Sequence, residues 1–251
     1  MTKNHIESLI VIDIETVSEY QSYNDLDETW KKLWQAKICK NPAGNENYEQ
    51  LYKERAGVMA EFSKIICISI GWLQTNDLQY LRVKSFSDPD EKDLLLNFIQ
   101  GIKSISAKNI KWSFAGHNIK EFDLPFICRR MLVHSIELPE FLQFQNLKPW
   151  EVNVFDTFQY WKFGDYKNYT SLNLLANALK LPSSKDEIDG SMIHDLYWTD
   201  DALQKQVNML NIISYCQKDV ITTTNIIFKF KNMPPLQVGN ICITDNLSVS
   251  Q

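Results

Sequence analysis

The stretch LIVIDIETVSEY, from Leu9 to Tyr20, sets the tightest limit on what this chain can become. Ser8 to Asp13 is a short apolar run rich in Ile and Val, which reads as a buried strand. It ends by placing two carboxylates, Asp13 and Glu15, one residue apart. Alternate strand residues share a face, so these two point the same way while Ile14 points into the opposite layer. Burying charge is expensive unless it is paired or bound to a metal. The run therefore asks for a sheet around it and a cation beside its acids.

The rest of the chain supplies that sheet. Leu26, Trp30, Leu33, Trp34 and Ile38 fall at helical spacing, and after the loop NPAGN the residues Leu51, Tyr52, Ala56, Met59 and Phe62 repeat the pattern. This predicts a helical hairpin at about 20–62, inserted after the first strand. Lys64–Leu73 and Leu78–Phe86 read as a β-hairpin joined by QTND. SDPDEKDLLLNFIQGI has Ser87 or Asp88 as a cap, Pro89 at the entry and acids in the first turn, the clearest helix signal in the chain. NIKWSFAGHN gives a strand ending near Ala115, and FDLPFICRRML starts a helix with Pro125 in its first turn. A last strand is expected near Val152–Phe155, then helices over SLNLLANALKL and from about Asp200 to Lys229. The expected fold is α/β: a mixed central sheet covered by helices, in one domain over 1–232. The tail at 233–251 reads as loosely organised. No internal repeat is present.

Composition excludes several alternatives. At 251 residues, with 44% hydrophobic and 23% charged residues, the chain can bury a core and disorder is not expected. No stretch approaches the roughly 18 apolar residues of a spanning helix, and MTKNHIESL lacks a secretory signal, so a cytoplasmic address with no membrane is the expectation. Cys39, Cys67, Cys128, Cys216 and Cys242 form no CxxC pair and read as reduced, mostly buried small hydrophobes. A net charge of −5 argues against gripping nucleic acid through overall positive charge. Divalent cations in an acidic cleft would remove that objection.

Two further places carry chemistry besides Asp13 and Glu15. In GHNIKEFDLPF, Asp123 lies between a strand end and a helix entrance. In YCQKD, Tyr215 and Asp219 are four residues apart and stack on one side of a helix. Taken singly each has a plain reading: solvated loop acids, a helix cap, an exposed helix face. Jointly, four carboxylates and a phenol at one end of a sheet match what two divalent ions about 3.5–4 Å apart need.

VIDIET, NIKEFDLPF and YCQKD together resemble the three successive motifs of the DEDD (DnaQ-like) superfamily of 3'-5' exonucleases, in the subgroup whose third motif is Tyr-x-x-x-Asp. The likeness is to the proofreading exonuclease domain of family B DNA polymerases and to small stand-alone bacterial relatives. AEFSKIICISIGW, FDTFQYW and SLNLLANALKL extend it. The resemblance implies an RNase H-like fold and a two-metal hydrolysis using Mg2+ or Mn2+. Asp13 would bridge both ions, Glu15 and Asp219 would hold the ion that activates water, and Asp123 would ligate the ion beside the leaving group. Tyr215 would orient the attacking water, since a phenol with a pKa near 10 is a poor base at neutral pH. No segment remains for a palm, fingers or thumb, so proofreading within the same chain is not expected.

The implied activity is release of nucleoside 5'-monophosphates from the 3' end of single-stranded DNA. An exoribonuclease and a non-catalytic nucleic-acid-binding scaffold of the same shape are the alternatives. Asn118, Phe122, Ile14 and Thr16 are the candidate substrate contacts. Asn118 reads equally as a turn residue, and Phe122 more safely as core. His117 reads as a turn residue, not a catalytic base. In the inserted hairpin, Trp30, Trp34, Tyr48 and Tyr52 alternate with Lys31, Lys32, Lys37, Lys40 and Lys53. These could stack bases along a single strand, or the aromatics could pack inward, as helical spacing favours for Trp30 and Trp34. Arg129, Arg130, Lys162 and Lys167 are further candidates for phosphate contact.

Overall fold

In a computed structural model, residues 6–39, 47–74, 77–106, 112–148, 150–165, 167–182, 188 and 190–244 are described. The expected loop NPAGN, Lys40, the middle of QTND and the beginning of NIKWSFAGHN lie outside them. The first strand, β1, runs over Leu9–Ser18, longer than its apolar run suggests. It pairs antiparallel with β2 (Ser63–Gln74), which pairs antiparallel with β3 (Asp77–Phe86). On its other side β1 pairs parallel with β4 (Ser113–Gly116), and β4 with β5 (Phe155–Asp156). The sixth strand, β6 (Ile241–Ile243), lies parallel to β3, giving the mixed order β5-β4-β1-β2-β3-β6. Part of the segment read as a loose tail thus completes the sheet. Three apolar residues suffice because β3 supplies their backbone partners.

Both faces of the sheet are covered, and β1 shows how. Ile10, Ile12 and Ile14 enter a core beneath α3 (Glu91–Ser106) and α4 (Asp123–Val133), with Leu94, Phe98, Phe126 and Ile127. Leu9 and Val11 face the other layer, built on α8 (Ala202–Phe230) through Val220, Ile227 and Phe228. Period-two alternation therefore sends Asp13 and Glu15 toward α8. That helix passes so close to β2 that a Cβ on Gly71 would stand 2.6 Å from the Val220 side chain. Between Glu15 and Thr16 the register with β2 jumps from Cys67 to Ile65, a bulge at the point where the acids end.

The helices begin where short polar side chains can satisfy free N–H groups. Asp27 caps α1 (Glu28–Ile38) by accepting from Trp30 N at 2.8 Å, and Asn47 caps α2 (Tyr48–Arg55) from Gln50 N. Asp201 caps α8 through Leu203 and Gln204. For α3 the cap is Asp90, which accepts from Lys92 N at 2.7 Å, rather than Ser87 or Asp88. Asp88 instead accepts from Asp90 N in the preceding turn. Short α5 (Thr157–Lys162), α6 (Leu172–Ala178) and α7 (Ile193–Tyr197) complete the helical layers. No helix among the described residues is long and apolar enough to cross a membrane.

The inserted hairpin is packed by its own aromatics. Trp34 and Tyr52 are fully buried, their rings edge to face at 5.1 Å, and Phe62 stands edge to face with Trp34 at 5.0 Å. Trp30, half-exposed, leans on Phe62 at 5.5 Å. Lys31 pairs with Glu28 and Lys53 with Asp195. Inward packing accounts for Trp34 and Tyr52, which have no face left for a base. Arg130 is likewise not a phosphate contact. It is buried in α4, forks onto Glu91 at the start of α3, donates to Ala60 O at 2.9 Å and reaches Glu19 at 3.1 Å. Glu91 also accepts from Ile65 N and contacts His134. Lys162 lies 4.2 Å from the Phe158 ring centre and 3.6 Å from Glu121.

Candidate active site

Three elements deliver the acids. β1 carries Asp13 and Glu15 toward α8, which presents Tyr215, Cys216 and Asp219 from the middle of its length. α4 starts at Asp123, whose Oδ1 accepts a hydrogen bond from Ile14 N at 3.2 Å. That bond binds the second motif to the peptide between the two acids of the first, across 109 residues. Cys216 donates to Asp13 Oδ2 at 3.3 Å and to Asp13 O at 3.4 Å, fastening the third motif to the first. Among the described residues, donor atoms of Asp13, Glu15 and Cys216 lie within 4.8 Å of one another. Asp123 and Asp219 are outside that tight group but act on it electrostatically.

The charges show their proximity. Burial, then Asp219, Glu15 and Asp123, raise Asp13 well above the carboxylate range, with the Cys216 thiol opposing. Burial and then Asp219 raise Glu15 in the same way. Asp123 is pushed up to about 7 by burial, against backbone hydrogen bonds that hold it down. The Tyr215 phenol is pushed up by burial and by Asp219, Glu15 and Asp13, and it hydrogen-bonds Asp219. A phenol so placed keeps its proton. Buried carboxylates that repel one another suit a cation, which would relieve both the burial and the repulsion. Their hard oxygen donors fit Mg2+ or Mn2+.

The turn before Asp123 is held by residues the sequence reading did not single out. Asp156, at the end of β5, accepts from Asn118 N at 3.0 Å, Lys120 N at 3.1 Å and Phe158 N at 3.0 Å. An Asp directly before Thr157 and a helix is an N-cap signature, and it was there to be read in FDTFQYW. His117 spans this turn, with Nδ1 at 2.9 Å from Thr157 Oγ1 and Nε2 at 2.9 Å from Thr170 O. The Tyr169 ring stands edge to face on Phe158 at 5.0 Å, and its phenol is raised by burial and then by Asp123, Asp156 and Asp13, which puts it within electrostatic reach of the acids.

The candidate substrate contacts divide. Asn118 has left-handed backbone, φ 64°, as its turn reading requires, yet its side-chain Oδ1 is buried without a hydrogen-bond partner among the described residues. Phe122 packs on Phe126 against the α3–α4 core. Ile14 is buried in that core, which leaves its side chain no surface for a substrate. The Thr16 hydroxyl donates to Gly57 O at 2.6 Å.

Residues 58–235 match a family described as "Predicted 3'-5' exonuclease related to the exonuclease domain of PolB". The match covers the second and third motifs and begins after β1. Among solved structures, the chain resembles the family B DNA polymerase from the hyperthermophilic archaeon Pyrobaculum calidifontis, with a TM-score of 0.52 at 14% identity. The likeness covers 88% of this chain and 24% of the polymerase, and at that identity it speaks for the fold, RNase H-like with a mixed sheet between helices. No curated protein sequence matches.

Proposed function

We infer a function from the premise that this chain belongs to the family of predicted 3'-5' exonucleases related to the exonuclease domain of PolB. The reading is a metal-dependent hydrolase that shortens single-stranded DNA from its 3' end and releases nucleoside 5'-monophosphates. One exonuclease domain spans 1–232, with the helical insertion at about 20–62, and a cytoplasmic address accompanies it. The observation that carries the reading is the meeting of three remote segments: Asp123 on the Ile14 amide and Cys216 on Asp13, with Asp219 within electrostatic reach of both acids of β1.

Asp13, Glu15, Asp123 and Asp219 would hold two divalent ions. Such ions, when bound, lower the pKa of water and offset charge on the attacking and departing oxygens. The chain's own residues then orient and exclude. Tyr215, kept as a phenol by burial and by its acidic neighbours, donates its proton to Asp219 and leaves a lone pair to accept from the attacking water, and so positions that oxygen. Asp156 fixes the turn that carries Asn118, whose unsatisfied Oδ1 is suited to a donor on the terminal nucleotide. Tyr169, largely exposed and within electrostatic reach of the acids, offers a ring face to a base.

The test is incubation with 3'-labelled and 5'-labelled DNA and RNA strands in Mg2+, Mn2+ or chelator. Stepwise loss from the 3' end of DNA is expected, with none in chelator and none from Asp13→Ala or Asp219→Ala. Preference for RNA would move the assignment to an exoribonuclease. Wild-type rates in either aspartate variant would end it.

A further inference from the structure

Cys216 does not belong in a site built only for hard cations. Its side chain is fully buried, it sits between the two functional residues of the third motif, and its thiol donates to Asp13 Oδ2 at 3.3 Å. Cys67, opposite Glu15 in the β1–β2 register, is also fully buried. Sulfur adds nothing for Mg2+, which prefers oxygen and octahedral geometry, but thiolate with carboxylates is a donor set for d10 ions of tetrahedral habit.

The spacing is close to what such an ion requires. With a metal–sulfur bond of about 2.3 Å and a metal–oxygen bond of about 2.1 Å at the tetrahedral angle, the two donors stand about 3.6 Å apart. Cys216 Sγ and Asp13 Oδ2 are 3.3 Å apart, and a Glu15 oxygen completes a trio within 4.8 Å. Replacing the thiol proton by a metal would move the pair by only about 0.3 Å.

We propose that Cys216 determines the ion specificity of this centre: with Asp13 and Glu15 it binds one thiophilic divalent cation, of the Zn2+ or Cd2+ class, which displaces the hard ions and arrests hydrolysis. The arrest rests on the exonuclease reading above, whereas the binding does not. On binding, the S–H bond breaks, a metal–sulfur bond forms and the proton passes to the buffer, with no change of oxidation state. Asp13 then turns an oxygen to the sulfur-bound ion and would no longer be free to hold the hard ions.

Cd2+ is the probe. The metal-free protein, Cys216→Ser and Cys216→Ala are each titrated with Cd2+ while the ultraviolet sulfur-to-cadmium charge-transfer band is recorded. Mn2+ affinity is measured by paramagnetic resonance, circular dichroism reports folding, and strand cleavage is followed on the same preparations. Wild type should show a band that saturates at one Cd2+ and is lost in both variants, in which Cd2+ affinity, read by competition against Mn2+, should fall by roughly tenfold or more. Mn2+ affinity should change less than about threefold. Absence of the tight band, or unchanged Cd2+ affinity in the folded Ser variant, overturns the site. A Cys216-dependent band in a protein that cleaves no strand with any ion overturns the exonuclease reading and leaves the cadmium site standing.

Discussion

Replacing Asp123 by Asn should flatten a pH dependence whose size follows from the site. Burial lifts the Asp123 carboxyl from 3.8 to about 7, so the metal-free native state holds a proton that the unfolded chain has already lost. A group raised in this way contributes stability that is fully present below its unfolded value and is lost as pH rises through its folded one. The interval is about three units, and at about 1.36 kcal/mol per unit the metal-free protein should shed about 4 kcal/mol across it. Asp13 and Glu15, raised chiefly by burial, act with the same sign and carry the decline further. Asn keeps the shape and the acceptor for Ile14 N without the titration. In chelator at neutral pH, Asp123→Asn should therefore be the more stable protein, by up to about 4 kcal/mol. Adding Mg2+ or Mn2+ should restore the wild type and do less for the variant. Urea unfolding followed by circular dichroism, in chelator from about pH 4 to about pH 8, measures both curves. A wild-type stability that stays level or climbs from pH 4 to 7, or two parallel curves, would refute the argument.

Arg130→Ala should destabilise the fold by about 3–5 kcal/mol, because Glu91 is left buried with only Ile65 N and His134 as partners. For a chain of this size that lowers Tm by roughly 6–20 °C, and a loss under about 1 kcal/mol in urea unfolding would contradict the role given to the ion pair. Tyr215→Phe should fold normally and lower kcat by roughly tenfold to a hundredfold with little change in KM, as expected for a lost orienting contact. An unchanged kcat would remove Tyr215 from the site.

The acids of β1 were legible because alternation fixes their common face before any partner is known. Where β1 ends was not. Its apolar run stops near Asp13, but pairing with β2 continues past the bulge to Ser18. Arg130 looked like a surface cation beside Arg129, since nothing local announces Glu91, 39 residues away. Cys216 read as a small buried hydrophobe, and so it is by exposure; only the close approach of α8 to β1 puts its sulfur on a carboxylate. α5 and α7 are too short to show a helical period, and Ile241–Ile243 is too short to read as a strand without β3 beside it.

β3 spends synthesis half-dressed. It leaves the ribosome soon after β2, while its lateral partner is made only after the whole of α8, and during that interval its outer backbone groups offer a ladder to any passing extended chain. What finally seals that flank is small: three residues, then Thr244, which clamps Val83 O with its N–H at 2.8 Å and its hydroxyl at 3.1 Å. Closure of the sheet on this side therefore waits for the last stretch of chain to dock, and Thr244 is the hook that holds it.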